Sequence, residues 1–124
     1  ATPAVWLLTV DLVGAGTAEE SRHLRPLLAP LYLPYSPTPG KHAGRAAMRE
    51  AFAAAAALPA DGFIQYVVEA GPLRLIALDT HAPGEPGGRL CAARLDWLAA
   101  RLDEAPDRPT VIFMHHPPIA TGVA

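Results

Sequence analysis

Residues 63–80 read FIQYVVEAGPLRLIALDT, two apolar runs on either side of a short break. The runs Phe63–Val68 and Leu73–Leu78 are rich in β-branched, aromatic and aliphatic side chains, which favour extended backbone. The break, Ala70-Gly71-Pro72, contains the two residue types that most often reverse the chain. This stretch therefore predicts two strands joined as a β-hairpin.

The segment after the hairpin predicts a loop, a helix and a last strand. Residues 81–88 are rich in Pro and Gly and predict the loop. Residues 90–102 predict the helix, with Trp97 near a buried face whose apolar residues recur at helical spacing, namely Cys91, Leu95, Leu98 and Leu102. Thr110–Met114 predicts a buried strand that runs directly into His115-His116-Pro117-Pro118.

The chain before the hairpin predicts a strand and a helix. Val5–Val10 is a continuous apolar run that predicts a buried strand, and Asp11 stands at its carboxyl end. Thr17-Ala-Glu-Glu20 matches a capping box, in which the threonine hydroxyl and the glutamate carboxylate each accept from the other residue's amide. A helix to about Leu28 should follow, kinked at Pro26.

Residues 32–58 predict an extended edge or a loop, then a turn and a second helix. Tyr32–Gly40 contains prolines that a central strand does not tolerate, so we expect an extended edge or a loop. Gly40–Gly44 predicts a turn, and Arg45–Leu58 is Ala-rich and predicts a helix. The order β-α-(β)-α-β-β-α-β predicts an α/β layered fold, with residues 1–124 in one domain. Sites in such folds gather where strands reach their carboxyl ends.

Composition excludes several classes of function. The chain has 124 residues and a net charge of −2 without a charge block, so we expect no nucleic-acid polymer as partner. Cys91 is its only cysteine, which rules out a Cys-rich zinc site. The apolar runs are too short to span a bilayer, and the first residues lack the basic leader of a signal peptide. We therefore expect a cytoplasmic protein without a membrane partner.

Three positions at strand or loop ends carry residues suited to chemistry: Asp11, His42 and the pair His115/His116. Each also has an ordinary structural explanation, since Asp often forms turns, His42 lies in a Gly-flanked loop, and Pro after His-His is a common way to leave a strand. Adjacent strand residues point to opposite sides, so at most one histidine of the pair should face a given site.

Four segments of the chain resemble motifs that occur together in one known protein family. Residues 8–16 (LTVDLVGAG) resemble TGDLVDxG, and residues 39–44 (PGKHAG) resemble PGNHDD. Residues 113–118 (FMHHPP) resemble the strand end MHHPP. Residues 78–90 (LDTHAPGEPGGRL), followed by LDWL at 95–98, resemble LDTxxPGxxxGxL…LxWL. With these four motifs the chain resembles the calcineurin-like metallophosphoesterases, and the last motif is typical of their branch with class III cyclic-nucleotide phosphodiesterases and glycerophosphodiesterases.

The resemblance implies a fold and a site. The fold would be an α/β/β/α layered sandwich, of which this chain is a part. The site would hold two divalent metals (iron, manganese, zinc or cobalt), with Asp11 as the bridging aspartate and His115 as a ligand. His42 would help to hold the phosphate and protonate the leaving group, and His116, next to the ligand, would be a second substrate contact.

The chain also departs from the family pattern. The opening DxH motif and the closing GHxH motif are absent, so we expect a partial domain. Four motif positions are altered: Val10 replaces a Gly, Gly14 an Asp, Lys41 the metal-binding Asn, and Ala43 an Asp. Two remaining ligands cannot hold a dinuclear centre, so we expect metal to bind weakly or not at all.

The functional expectation is a metal-dependent phosphodiester hydrolase by resemblance, with this chain incomplete or inactive. Its small-molecule substrates would be cyclic nucleotides or glycerophosphodiesters, and the residues do not decide between them. The alternative is a non-catalytic pseudoenzyme or an engineered scaffold. Unpaired strand edges predict a homodimer or larger oligomer. Lys41 could place its ammonium against Asp11 in place of a metal, or could point into water.

Overall fold

The computed structural model describes residues 5–9, 11, 17–29, 34–41, 44–53 and 58–122. The elements in these ranges are β1 (Trp6–Leu8), α1 (Ala18–Leu28), β2 (Tyr35–Pro37), α2 (Arg45–Phe52), β3 (Tyr66–Ala70), β4 (Leu73–Ala77), α3 (Ala92–Asp103) and β5 (Thr110–Phe113). Their order confirms the predicted alternation and the α/β class. None of the helices within these ranges has the length and apolarity needed to cross a bilayer.

The strands form two small sheets. In the first, β1 and β2 run parallel, with Trp6 opposite Tyr35 and Leu8 opposite Pro37. In the second, β4 lies between antiparallel β3 and parallel β5. The predicted extended edge is thus the strand β2. Within the described ranges it pairs with β1 alone, which leaves room for the prolines around it.

The predicted hairpin is confirmed as β3 and β4. Ala70 pairs with Leu73, so Gly71 and Pro72 alone form the turn. Gly71 has φ of 58°, a left-handed conformation that glycine adopts without steric penalty. β3 begins at Tyr66 rather than at Phe63, and residues 63–65 precede it as irregular chain.

The predicted capping box is confirmed at the start of α1. The amide of Glu20 donates to the Thr17 hydroxyl at 3.2 Å, and the amide of Thr17 donates to the Glu20 carboxylate at 3.2 Å. The helix continues through Pro26 to Leu28, so the last turn does form. The helix predicted over Arg45–Leu58 is shorter: α2 ends at Phe52, residues 54–57 lie outside the described ranges, and Leu58 is not helical.

The hydrophobic core lies where α2 meets the two sheets. Within the described ranges it contains Met48, Ala51, Phe52, Ile64, Tyr66, Leu75, Ala77 and Phe113. The Phe52 ring meets Tyr35 of β2 edge-on, with centroids 6.0 Å apart. The Tyr66 hydroxyl of β3 donates to the Pro37 carbonyl of β2 at 2.5 Å, so a buried hydrogen bond joins the two sheets.

The helix α3 covers the other face of the second sheet. Arg74 alternates with the core residue Leu75 along β4, so its side chain points away from the core. Its guanidinium donates to the carbonyl of Arg101 in the last turn of α3 at 2.7 Å and to that of Ala105, just after the helix, at 3.0 Å. These bonds help to hold the helix against the sheet.

The predicted buried face of α3 is confirmed except at Leu95, since the other apolar residues named for it are half-buried. Leu95 is 46% exposed, whereas Arg94 is 5% exposed. The Arg94 guanidinium lies 4.1 Å from the centroid of the Phe63 ring and donates to the carbonyls of Asp79 and Arg89. These polar contacts rotate the helix so that Arg94 faces inward, while Leu98 on the same side is half-buried.

Two strands predicted to be buried are partly exposed. β1 is shorter than the predicted Val5–Val10, and Trp6 is 43% exposed. β5 exposes Val111 and Ile112 by 44% and 39%, because it pairs with β4 on one side and lies at the edge of the sheet within the described ranges.

Candidate active site

The carboxyl ends of four strands meet at one edge of the protein. Asp11 follows β1 and Lys41 follows β2. Thr80 and His81 follow β4, and His115 and His116 follow β5. Because β1 pairs in parallel with β2, and β4 with β5, each pair of strands delivers its following residues to the same side.

The structure brings Asp11 and His115 together. His115 Nε2 lies 3.5 Å from Asp11 Oδ1, although the two residues are far apart in the chain. The other ring nitrogen, Nδ1, lies 2.7 Å from the Thr9 carbonyl oxygen. A carbonyl only accepts, so Nδ1 carries a proton, and in the neutral imidazole the Nε2 lone pair faces the carboxylate.

Asp11 is held in place by the loop after β2. The Lys41 amide donates to Asp11 Oδ1 at 2.8 Å. A Cβ at Gly40 would lie 2.2 Å from that oxygen and 3.2 Å from the Asp11 Cα, so only glycine permits this approach. The suggested ion pair between the Lys41 ammonium and Asp11 is not formed, because the main-chain amide reaches the carboxylate and leaves the side chain exposed.

The rings of His116 and His115 do not point to opposite sides, since their centroids are 4.8 Å apart; β5 ends at Phe113, so the predicted alternation of strand residues does not extend to this pair. His116 Nδ1 lies 2.8 Å from the Thr80 hydroxyl, and its Nε2 lies 3.3 Å from the Pro86 carbonyl oxygen. Burial, with a further contribution from the neighbouring His115, lowers the pKa of His116. Both nitrogens have protein partners, so in this conformation the ring joins β5 to the 81–88 loop and has no nitrogen left for a substrate.

His81 was not singled out from the sequence, although it follows a predicted strand in the same way as His115. It is 8% exposed. Its Nδ1 has no hydrogen-bond partner among the described residues. Burial, and secondly the charge of Arg45, lower the pKa of His81. The structure therefore adds a buried imidazole at the edge of the protein where Asp11 and His115 lie.

A buried ion pair anchors the same edge of the protein. Asp79 is fully buried and accepts from Arg45 Nε at 2.6 Å and from Arg45 Nη2 at 3.1 Å. Its carboxylate also accepts from the amides of Ile64 and His81, at 2.8 and 2.9 Å. These bonds satisfy a buried charge that would otherwise be costly, and they fix the start of the 81–88 loop.

The described residues provide part of a metal site. With metal–ligand bonds of about 2.1 Å, two ligand atoms on one ion stand about 3–3.5 Å apart. The Asp11–His115 separation of 3.5 Å fits this, and the bond from Nδ1 to the Thr9 carbonyl leaves Nε2 free to coordinate. However, no group of three or more His, Cys, Asp or Glu side chains in the described ranges could hold an ion.

Four residues named from the sequence lie outside the described residues: the candidate catalytic residue His42 and the altered motif positions Val10, Gly14 and Ala43. Their predicted roles therefore remain predictions.

Known proteins similar to this chain are phosphodiesterases. A probable glycerophosphodiester phosphodiesterase, GpdQ, of Arcobacter nitrofigilis is 30% identical over 121 residues, which is 98% of this chain and 44% of its own length. A probable cyclic nucleotide phosphodiesterase of Rhodopseudomonas palustris is 37% identical over 122 residues, 94% of this chain and 43% of its own length. The 3′,5′-cyclic adenosine monophosphate phosphodiesterase CpdA of Escherichia coli K12 is 30% identical over 114 residues, 92% of this chain and 40% of its own length.

The chain spans less than half the length of these curated relatives. No family profile matches it. The resemblance inferred from the four motifs is nevertheless confirmed, because both enzyme types of that branch are found among relatives that align with nearly the whole chain.

Proposed function

We propose that this homologue of the glycerophosphodiester and cyclic-nucleotide phosphodiesterases, of the calcineurin-like metallophosphoesterase type, is part of a hydrolase that cleaves small phosphodiesters. The observation that carries the proposal is the Asp11–His115 pair. A carboxylate and an imidazole converge at the carboxyl edge of the strands, and the imidazole is held in the tautomer that a metal ligand needs.

Asp11 and His115 would hold one side of a divalent-metal site, and its further ligands would come from other segments of the proposed hydrolase, of whose relatives this chain spans less than half the length. A metal bound there would lower the pKa of a water molecule and neutralise charge on the phosphoryl group. The chain itself fixes the two ligands: the Lys41 amide and Gly40 orient Asp11, and the Thr9 carbonyl orients His115.

His42 immediately follows Lys41, whose amide contacts Asp11, and this position in the chain supports the proposed role of His42 at the leaving group. His116 acts in this proposal as a positioning residue rather than as a substrate contact. The proposed substrates are cyclic nucleotides or glycerophosphodiesters, which are the substrate types in the names of the relatives.

The proposal is tested with hydrolysis of bis(p-nitrophenyl) phosphate by the purified protein with added Mn²⁺. Asp11→Asn and His115→Gln each remove one proposed ligand, and we expect kcat/KM to fall by about a hundredfold or more. Asp107→Asn changes an exposed carboxylate in the turn before β5, at the opposite end of the sheet, and should leave the rate unchanged. Wild-type rates in both ligand variants would refute the assignment.

A second candidate is a non-catalytic module that associates with other chains. It is favoured by the small number of described ligands and by the exposure of Val111 and Ile112 on the edge strand β5. The two candidates are distinguished by the same purified protein: turnover supports the hydrolase, and a stable oligomer in light scattering without turnover supports the module.

A further inference from the structure

An open cavity of about 240 Å³ lies between α3 and the segment before β3. Its lining consists of Pro59, Asp61, Phe63, Gln65, Ala93 and Trp97. None of the residues around the Asp11–His115 pair belongs to this lining, so the cavity is separate from the candidate active site. Its volume is slightly below that of sites for drug-sized ligands, which suits a single small ring system.

Two aromatic side chains give the cavity its apolar surface. Phe63 and Trp97 are both half-buried and both line it. The Arg94 guanidinium lies 4.1 Å from the centroid of the Phe63 ring, and that of Arg101 lies 5.5 Å from the centroid of the Trp97 ring. These contacts hold the two rings in place, and the part of each ring that borders the cavity offers a surface for a planar ligand.

The wall that carries Pro59 and Asp61 is fixed by Arg49 of α2. Arg49 Nε donates to the Pro59 carbonyl at 2.7 Å, and its Nη2 donates to the Gly62 carbonyl. This wall is therefore shaped before a ligand enters.

The polar groups of the lining that lack protein partners are hydrogen-bond acceptors. Gln65 is 5% exposed, and its Nε2 donates to the Arg94 carbonyl at 3.5 Å. Because a carbonyl only accepts, this contact fixes the orientation of the amide, and Gln65 Oε1 has no partner among the described residues. The exposed Asp61 carboxylate likewise takes part in none of the ion pairs of the described residues.

The charges around the cavity favour a neutral ligand. Asp61 is the only charged residue of the lining, but a cation attracted to it would also approach the guanidinium groups of Arg49, Arg94 and Arg101. Arg49 has no acidic partner among the ion pairs of the described residues. An anion would meet the Asp61 carboxylate, which only accepts. A neutral ligand with N–H donors avoids both conflicts.

We propose that this cavity binds a neutral planar heteroaromatic ring whose edge carries adjacent N–H donors, as guanine does. A ring N–H and a neighbouring amino group can donate together to the two oxygens of one carboxylate, which assigns Asp61 to that edge of the ligand. The face of the ring would lie against Trp97. This inference does not rest on the proposed function, because the two sites share no lining residue.

The test uses Trp97 as the probe. The chain has two tryptophans, so Trp6→Phe leaves Trp97 as the only one. Titration of this variant with guanosine should quench its fluorescence to saturation, corrected with free N-acetyltryptophan amide. Inosine lacks the amino group and should bind about tenfold more weakly, as expected for one hydrogen bond to a charged group. Nucleosides carry no phosphate, so their binding needs no metal. Calorimetric titration of the unsubstituted protein measures the same affinity without the Trp6→Phe change.

Asp61→Asn separates the proposed contact from stacking alone. It keeps the size of the side chain but replaces one acceptor oxygen with an NH2 donor, so guanosine should bind about tenfold more weakly while inosine changes less. Asp96→Asn is the matched control, because Asp96 is an exposed carboxylate on α3 next to Trp97 and absent from the cavity lining. It should leave the affinity unchanged.

Three outcomes would overturn the proposal. They are an unchanged Trp97 signal at millimolar guanosine, equal guanosine affinities with and without Asp61→Asn, and tighter binding of the cations agmatine or choline than of guanosine. The last outcome would assign the cavity to an organic cation. None of these experiments measures turnover, so their results leave the proposed function untouched.

Discussion

At the scale of single residues, the His116 side chain can occupy its position only because residue 88 is a glycine. A Cβ added at Gly88 would lie 2.6 Å from both Cβ and Cγ of His116, closer than side chains approach one another. The same ring is bonded to Thr80 and contacts the Pro86 carbonyl, so it cannot move without breaking those interactions. Gly88 is therefore required for the contact between the 81–88 loop and the end of β5.

We predict that Gly88→Ala lowers the free energy of unfolding by about 1–3 kcal/mol through this steric conflict. Gly87→Ala is the control, because a Cβ at Gly87 meets no atom within 4 Å. The two substitutions reduce the freedom of the unfolded chain equally, so their difference isolates the clash. Denaturant unfolding measures both, and equal stabilities would show that His116 has room to move.

At the scale of elements, α3 is positioned by arginines. Arg94 from its first turn and the carbonyls of its last turn, which bind Arg74, hold the helix at both ends. Leu98 lies half-buried between these two contacts, whereas Leu95 is exposed. The apolar side chains of the helix therefore contribute unequally to its packing.

We predict that Leu98→Ala lowers the free energy of unfolding by about 1–2 kcal/mol, in proportion to its partial burial. Leu95→Ala, the same change on the exposed side of the helix, should alter it by less than about 0.5 kcal/mol. Reversible thermal or denaturant unfolding of the two variants is the measurement. A larger effect at Leu95 would mean that α3 has the orientation that its apolar spacing predicts.

At the scale of the whole molecule, the two sheets are tied together by Tyr66. Its hydroxyl reaches from β3 to the carbonyl of the fully buried Pro37 in β2, and its ring packs edge-on against Phe113. Tyr66→Phe keeps the ring but leaves the Pro37 carbonyl without this donor. We expect a loss of about 1–2 kcal/mol in the free energy of unfolding, which denaturant unfolding at neutral pH can measure.

The same tyrosine predicts a dependence of stability on pH. Burial raises the pKa of Tyr66 well above its ordinary value near 10, against a smaller opposite effect of a hydrogen bond with Ser36. Above about pH 10 the unfolded chain loses this proton while the folded protein retains it, so the free energy of unfolding falls as pH rises. Below that pH both states keep the proton, so the contribution of the buried Tyr66 hydroxyl to the free energy of unfolding is fully present.

Unfolding curves between neutral pH and pH 11 test this dependence. Tyr66→Phe should remove the part of the alkaline slope that this group causes. Tyr35→Phe, a tyrosine substitution that leaves Tyr66 in place, should retain it. Identical slopes in the wild type and Tyr66→Phe would exclude Tyr66 as the source.

The sequence by itself determined those features that depend on neighbours in the chain. The capping box of Thr17 and Glu20 and the hairpin around Gly71 were predicted correctly, because each needs only residues within a few positions. The order of strands and helices follows from local apolar patterns in the same way. Asp11 and His115 were identifiable as candidates since each follows a strand, and the family motifs gave them roles.

Only the tertiary structure decided which distant residues meet. The Asp11–His115 contact, the Thr80–His116 hydrogen bond and the inward position of Arg94 join residues from separate elements. Local patterns also placed Leu95 on the buried face of α3 and missed Arg94, since apolar spacing does not show that an arginine will find carbonyl partners and an aromatic ring across the interface. Such contacts depend on how strands pair and helices rotate, and that is settled by packing over the whole chain.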